Sequence, residues 1–179
     1  MAPYGIVDQT DNDKAYVAPH IYDTNGELIW SGAALFNRYD TFTFKVSHVL
    51  GKDMLTALHP KDGRGVIMDD DYEILYEIPV GVQGVNTNMH DFQVVDNGTK
   101  ALFLTVEKTD TLRNARQVGY TGGPCKINFN GIHERDIETG DTTFLWSTKD
   151  HIALEESTMY KDEPAEICET KKHNPSDYL

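Results

Sequence analysis

The chain has 179 residues, 39% hydrophobic and 25% charged, which is enough apolar material for one ordinary core in a single folded domain and makes an ordered chain the leading reading over a disordered one. Acidic residues outnumber basic ones 29 to 16, and the formal charge of −13 repels phosphate backbones and anionic lipid, so nucleic acid is not expected as a partner. No window approaches the roughly 18 consecutive apolar residues of a membrane helix, so no membrane is expected either, and the opening MAPYGIVDQTDNDK has neither the basic nor the apolar region of a secretion signal.

In chain order, the first element is IYDTNGELIWSG at 21 to 32, where Asn25-Gly26 marks a turn and Trp30 follows it. Residues 42 to 48, FTFKVSH, alternate: Phe42, Phe44 and Val46 fall on one face and Thr43, Lys45 and Ser47 on the other, as a half-buried strand requires. His48 continues the apolar parity and is expected in the core or between sheets. His20 and His59 each adjoin a proline and read as loop residues. Asp62-Gly63 is a further turn, and the acidic run Asp69 to Asp71 lacks EF-hand spacing and reads as a solvated turn, so no metal is expected there.

The strongest hairpin joins QVVD to TKALFLTV through Asn97-Gly98, because a type I′ turn needs positive φ at both central residues. Leu102, Leu104 and Val106 alternate along its second strand, and Asn97-Gly98-Thr99 is a glycosylation sequon placed on the turn. Cys125 and Cys168 would close a loop of about 44 residues, worth roughly 4 kcal/mol if bonded, but the sequence leaves a disulfide and two free thiols equally open. His133, beside Glu134 and Arg135, reads as a solvated strand edge. DIETGDTTFLW at 136 to 146 then repeats the acid, turn glycine and tryptophan of the first element. One short helix is expected near residues 152 to 160, and His173 lies in a polar end.

Trp30 stands four residues after Gly26 and Trp146 six after Gly140; both intervals are even, so each tryptophan faces the same layer relative to its own turn. Acids at 23, 69, 96 and 138 are separated by 46, 27 and 42 residues, partly near the 40 to 50 of a four-stranded propeller blade. The class expected is all-β. Within it the tryptophans favour an incomplete β-propeller of about three to four four-stranded antiparallel blades over residues 17–179, after an extension at 1–16; the plainer alternative is an ordinary antiparallel meander.

IYDTNGELIWSG, GKDMLTAL, VIMDDDYEIL, MHDFQVVDNGTKALF, IHERDIETGDTTFLWSTKDHIALEES and NPSDYL, in that order, resemble the fungal branch of the arylsulfotransferases of ASST type. The resemblance covers most of the chain from about residue 17. It implies a six-bladed propeller, secreted or in the secretory pathway, that moves a sulfuryl group from an aryl sulfate to a phenol through a sulfated histidine, with no nucleotide donor and no cofactor. It also implies that the remaining blades, with the sulfated histidine, come from sequence beyond Leu179, so that these residues are inactive alone. Two departures stand out: HPKDGRG replaces a longer glycine-rich insert, and His133 stands where glutamine is usual.

By the same resemblance His90 matches the histidine of a His-acid-Phe motif on an innermost strand, and is cast as the sulfate-binding or acid/base residue. Asp91 and His151 are expected as substrate-binding residues, and for Asp91 two readings stay open, an acid that orients an imidazole and an exposed turn acid. An imidazole suits this chemistry because it attacks when neutral and donates when protonated. The sequence offers no local support for zinc, having no His-Glu-x-x-His and no Cys-x-x-Cys, and it lacks G-x-S-x-G and a P-loop. The alternative function is a non-catalytic propeller that binds a ligand or protein across its channel face.

Overall fold

The computed structural model describes residues 18–37, 41–59, 61–109, 127–153 and 156. Both cysteines and His173 lie outside them, as do residues 1–16. The described residues form an all-β structure of ten antiparallel strands with one helical turn: β1 (His20–Tyr22), β2 (Leu28–Ser31), β3 (Phe42–Val49), β4 (Lys52–Leu58), β5 (Gly65–Met68), β6 (Ile74–Ile78), β7 (Val85–Val95), β8 (Lys100–Thr109), β9 (Ile127–Asp136), β10 (Thr142–Ser147) and α1 (Thr148–His151). They make a two-stranded sheet β1-β2 and two four-stranded sheets, β3-β4-β5-β6 and β7-β8-β9-β10. In each sheet every strand pairs with its neighbour in sequence, so both are simple meanders.

Two kinds of turn explain why the sequence folds this way. The first strand of each four-stranded sheet meets the second through a tight turn of left-handed residues: Leu50 (φ 48) and Gly51 (φ 83) between β3 and β4, and Asn97 (φ 54) and Gly98 (φ 91) between β7 and β8. The second of these is closed by the Thr99 N–H donating to the Asp96 carbonyl at 3.2 Å, the type I′ geometry expected for Asn-Gly. The third strand meets the fourth through an aspartate turn. Asp69 Oδ1 accepts the N–H groups of Asp71 (3.0 Å) and Glu73 (2.9 Å) between β5 and β6. Asp136 Oδ1 accepts those of Glu138 (3.0 Å) and Thr139 (2.9 Å) between β9 and β10. The same device joins β1 to β2, where Asp23 Oδ1 accepts from Asn25 and Glu27, both at 2.8 Å. A short side chain that bonds the backbone two to four residues on offers the chain a turn in place of a continued strand.

The repeated turn acids are therefore Asp23, Asp69 and Asp136. Glu138, the acid that the spacing singles out, contributes only its backbone N–H, and Asp96 belongs to the other kind of turn. The Thr139 N–H, the Lys100 ammonium at 2.9 Å and the Glu138 N–H favour the ionised form of Asp136, whose carboxyl is lowered to about 2.

The two large sheets pack face to face. Val49, Leu58, Ile67 and Ile78 of the first meet Phe92 and Phe103 of the second, with the two rings 5.0 Å apart. The opposite face of β3–β6 carries Ala57, Val66 and Met68 beneath Phe36 and Trp30, so this sheet lies between the β1-β2 hairpin and β7–β10. Burying such side chains supplies about 1.5–3 kcal/mol each, which is what holds sheets that share no backbone ladder.

Three expectations are corrected here. The helical turn is α1 at Thr148–His151, N-capped by the Ser147 hydroxyl, which accepts from Lys149 N at 3.3 Å. Of residues 152 to 160, the described Ile152, Ala153 and Glu156 lie outside any α-helix, and the others fall outside the described residues. His20 opens β1 and does not lie in a loop, because the proline precedes the strand and leaves its ladder intact. His133 is not a solvated edge residue. β9 is an interior strand, paired with both β8 and β10, and His133 is fully buried between Phe103 and Leu145.

Candidate functional site

β3 and β7, the first strands of the two meanders, are edge strands of separate sheets and lie side by side. An edge strand leaves a row of backbone N–H and C=O groups without a ladder partner, so a cleft between two such edges is polar even where its side chains are not. The cleft here has a volume of about 490 Å³ and is lined by Lys45, Ser47 and His48 from β3 and by Gln93, Val95 and Asn97 from β7 and its turn.

Both strands carry an irregularity at the same end of the cleft. The register of β3 shifts between Phe42 and Lys45, where Thr43 adopts φ 56, and that of β7 shifts between Thr87 and Phe92. Positive φ at a β-branched residue is costly, and such strain is held only where surrounding structure imposes it. The Thr43 hydroxyl is buried with no hydrogen-bond partner among the described residues.

His90 sits in the irregular part of β7. It is exposed, its ring meets Phe42 of β3 edge-on at 6.2 Å, and its backbone N–H donates to Asn88 Oδ1 at 3.2 Å. Asp91 is half-buried, and its carboxylate accepts from Gln93 Nε2 at 2.7 Å. His151 lies in α1, stacked flat on Trp146 with ring centroids 5.4 Å apart. α1 follows β10, which is at the opposite edge of its sheet from β7. Three inter-strand steps of about 4.8 Å put those edges about 14 Å apart. The structure thus places His90 and Asp91 in the irregular part of β7 just before the cleft-lining Gln93, with the Asp91 carboxylate bonded to Gln93, and leaves His151 away from them.

Sequence reasoning missed His48. It is exposed, 61% at the side chain, and its Nδ1 lies 3.0 Å from Asp53 Oδ1. The reason is the β3 bulge: one extra residue moves every later side chain to the other face, so Val46 and His48 leave the shared core and Val49 enters it. The signal available was Val-Leu-Gly-Lys at 49 to 52. Read as a two-residue turn, it pairs Val49 with Lys52 and His48 with Asp53, which is the observed register. A carboxylate holding Nδ1–H leaves Nε2 as the nitrogen able to take a proton or meet a ligand. Lys45, in the same cleft, brings a cation to a strongly anionic molecule.

Burial depresses the affinity of His133 for a proton, and the adjacent Arg135 adds to the effect; His59 is depressed by burial and then by Arg64. Both groups favour the neutral form in the folded state, whereas in the unfolded chain they take a proton near 6.5. Stability is therefore expected to be unaffected above that value and to fall as pH drops through it toward the folded values. A further loss follows below 3.8, as Asp136 becomes protonated toward about 2. Thermal melting as a function of pH measures both stages. His133→Leu removes the His133 share of the first stage, leaves that of His59, and leaves the second stage unchanged.

No helix among the described residues is long and apolar enough to cross a membrane. Compared with known proteins, the chain matches no family model, no curated protein and no solved structure.

Proposed function

We propose that the two four-stranded sheets are successive blades of a β-propeller, and that the cleft between β3 and β7 is part of its channel face, where histidine-mediated sulfuryl transfer from an aryl sulfate to a phenol takes place. The observation that carries this reading is the adjacency of β3 and β7. When the first strands of consecutive meanders run side by side, groups from separate sheets meet along one seam, and each of these strands brings a histidine to it, His48 and His90.

The chemistry follows from those groups. A neutral imidazole nitrogen attacks sulfur, an N–S bond forms, and the S–O bond to the aryl group breaks. The phenolate leaves and takes a proton. The acceptor phenol then gives its proton to a base, its oxygen attacks sulfur, and the N–S bond breaks. His90 serves as the sulfate-binding or acid/base residue, with Phe42 against its ring; the sulfated nitrogen belongs to another histidine of the channel. Sulfate oxygens need cationic or N–H donors, which Lys45 and the open edges of β3 and β7 supply.

A non-catalytic channel that binds an anionic aromatic ligand is the second reading. The bond from Gln93 to Asp91 favours it, since that carboxylate is engaged away from His90.

Nitrophenol release from a nitrophenyl sulfate by the full-length protein, with a phenol as acceptor, separates the two. Under the transfer reading His90→Ala lowers kcat by about 100-fold or more, the usual contribution of an acid/base residue. Binding of the aryl sulfate by calorimetry without turnover in the full-length protein, all of its channel histidines included, assigns the cleft to the second reading. Turnover unchanged in His90→Ala removes that residue from the mechanism.

A further inference from the structure

β3 and β7 run in the same direction along their seam. Phe42 meets His90 at one end, and at the other the Leu50 N–H donates to the Gly98 carbonyl at 3.1 Å. The cleft is therefore ordered along its length: of its β3 residues Lys45 stands nearest the His90 end, Val46 follows beside Val94, and His48 closes the far end with Asn97. Lys45 and His48 are about 10 Å apart along an extended strand. One aromatic ring with a polar group at each end spans that length.

The two ends differ in chemistry. Among the described residues the half-buried cations are Lys45, Arg64, Lys100 and Arg135. Arg64 pairs with Glu77 and Lys100 with Asp136, and the Arg135 guanidinium donates to the Val80 and Gly140 carbonyls. The Lys45 ammonium has no such partner among the described residues. A cation partly removed from water without a counter-charge gains by meeting an anion. The far end is an acceptor instead. The Asp53 carboxylate only accepts, so His48 Nδ1 carries the proton, and in the neutral ring Nε2 is left to accept from a ligand. Between the ends Val46, 40% exposed, and the half-buried Val94 offer apolar surface. The volume of about 490 Å³ is that of a small-molecule site.

We propose that the cleft binds an aryl oxyanion in one orientation, its anionic oxygens on Lys45, its ring over Val46 and Val94, and a hydrogen-bond donor at the far side of the ring on His48 Nε2. The ligand class is a sulfated ring with a donor opposite the sulfate. This rests on the cleft being the ligand face of the proposed function, a premise that both readings of it share, and not on group transfer.

Aryl sulfonates test it, because their C–S bond does not hand on the sulfuryl group and binding is read without turnover. Calorimetry on the full-length protein compares 4-aminobenzenesulfonate, whose amine donates, with 4-methylbenzenesulfonate, which has a methyl group of similar size in its place. The amine is expected to bind about fivefold tighter, the effect of one hydrogen bond. Lys45→Gln weakens both ligands by about tenfold or more, because a bond to a charged group is lost. His48→Leu removes the preference for the amine and leaves the methyl compound as it was. Lys61→Gln, which takes a cation from the exposed turn after β4, changes neither affinity.

The proposal falls if neither sulfonate binds, if the two bind equally to the unaltered protein, if Lys45→Gln loses no more than Lys61→Gln, or if His48→Leu keeps the preference. The comparison of the two ligands on the unaltered protein depends on no variant folding. Nitrophenol release is a separate outcome: a protein that binds the sulfonates in this way and releases no nitrophenol keeps the orientation and loses the transfer chemistry.

Discussion

Gly98→Ala is expected to destabilise the protein by about 3 kcal/mol and to lower its melting temperature by roughly 10 °C. Two independent costs add. Gly98 has φ 91, a conformation that L-residues adopt only with strain. A Cβ there would also stand 2.8 Å from the His48 carbonyl oxygen and 2.9 Å from Leu50 N, both backbone atoms that cannot rotate away. The β7-β8 turn touches the β3-β4 turn at this point, and the Leu50 N–H donates to the Gly98 carbonyl at 3.1 Å. Gly26→Ala is the control. Gly26 has a similar φ of 85 but open space around it, so its replacement costs only the conformational part, about 1–2 kcal/mol. Equal losses in the two variants, measured by denaturant unfolding, would show that the two turns do not meet as described.

Arg135→Ala should lose about 2–3 kcal/mol. The guanidinium fastens separate stretches together: Nη1 donates to the Val80 carbonyl at 2.7 Å, Nε donates to the Gly140 carbonyl at 2.8 Å, and Nη2 also meets Gly140 O. Val80 lies in the segment that leads from one large sheet to the next, and Gly140 in the aspartate turn of the second sheet, so one side chain fixes the linker against the far hairpin. Its planar fork makes these bonds together, and a lysine at the same place reaches only one of them; Arg135→Lys recovers less than half of the loss. Arg135 also disfavours the protonated form of His133, so the alanine variant loses stability less steeply as pH falls through 6.5. An unchanged melting temperature in Arg135→Ala would show that the linker is held by packing alone.

The hairpins are legible in the sequence because their signals are local. Asn97-Gly98 demands its turn by φ alone, and the alternation of Leu102, Leu104 and Val106 puts these residues on one face as expected. The two tryptophans likewise share a face relative to their turns. What escapes the sequence depends on partners distant in the chain. Alternation through β3 is sound up to Phe42 and fails after Thr43, because a bulge leaves no mark in hydrophobic pattern, and this hides the pairing of His48 with Asp53. His133 looks exposed beside two charged neighbours, yet its burial follows from β9 being flanked on both sides. Spacing alone points to position 138 for the third turn acid, whereas Asp136 makes the turn, since that loop is one residue longer than the loop after Asp69. Of the candidate site, His90 and Asp91 lie in the irregular part of β7 that precedes the cleft-lining residues, whereas the separation of His151 from them depends on strand order, which no local motif encodes.

Within each sheet every strand pairs with its successor, which has a consequence for how the chain acquires its shape. The connections β1-β2, β3-β4, β4-β5, β5-β6, β7-β8 and β9-β10 are short, so little entropy is lost before each of these contacts is rewarded, and hairpins of this kind form in microseconds. Each four-stranded unit can complete its ladder from residues already emerged from the ribosome, leaving only the docking of apolar faces to join one unit to the next.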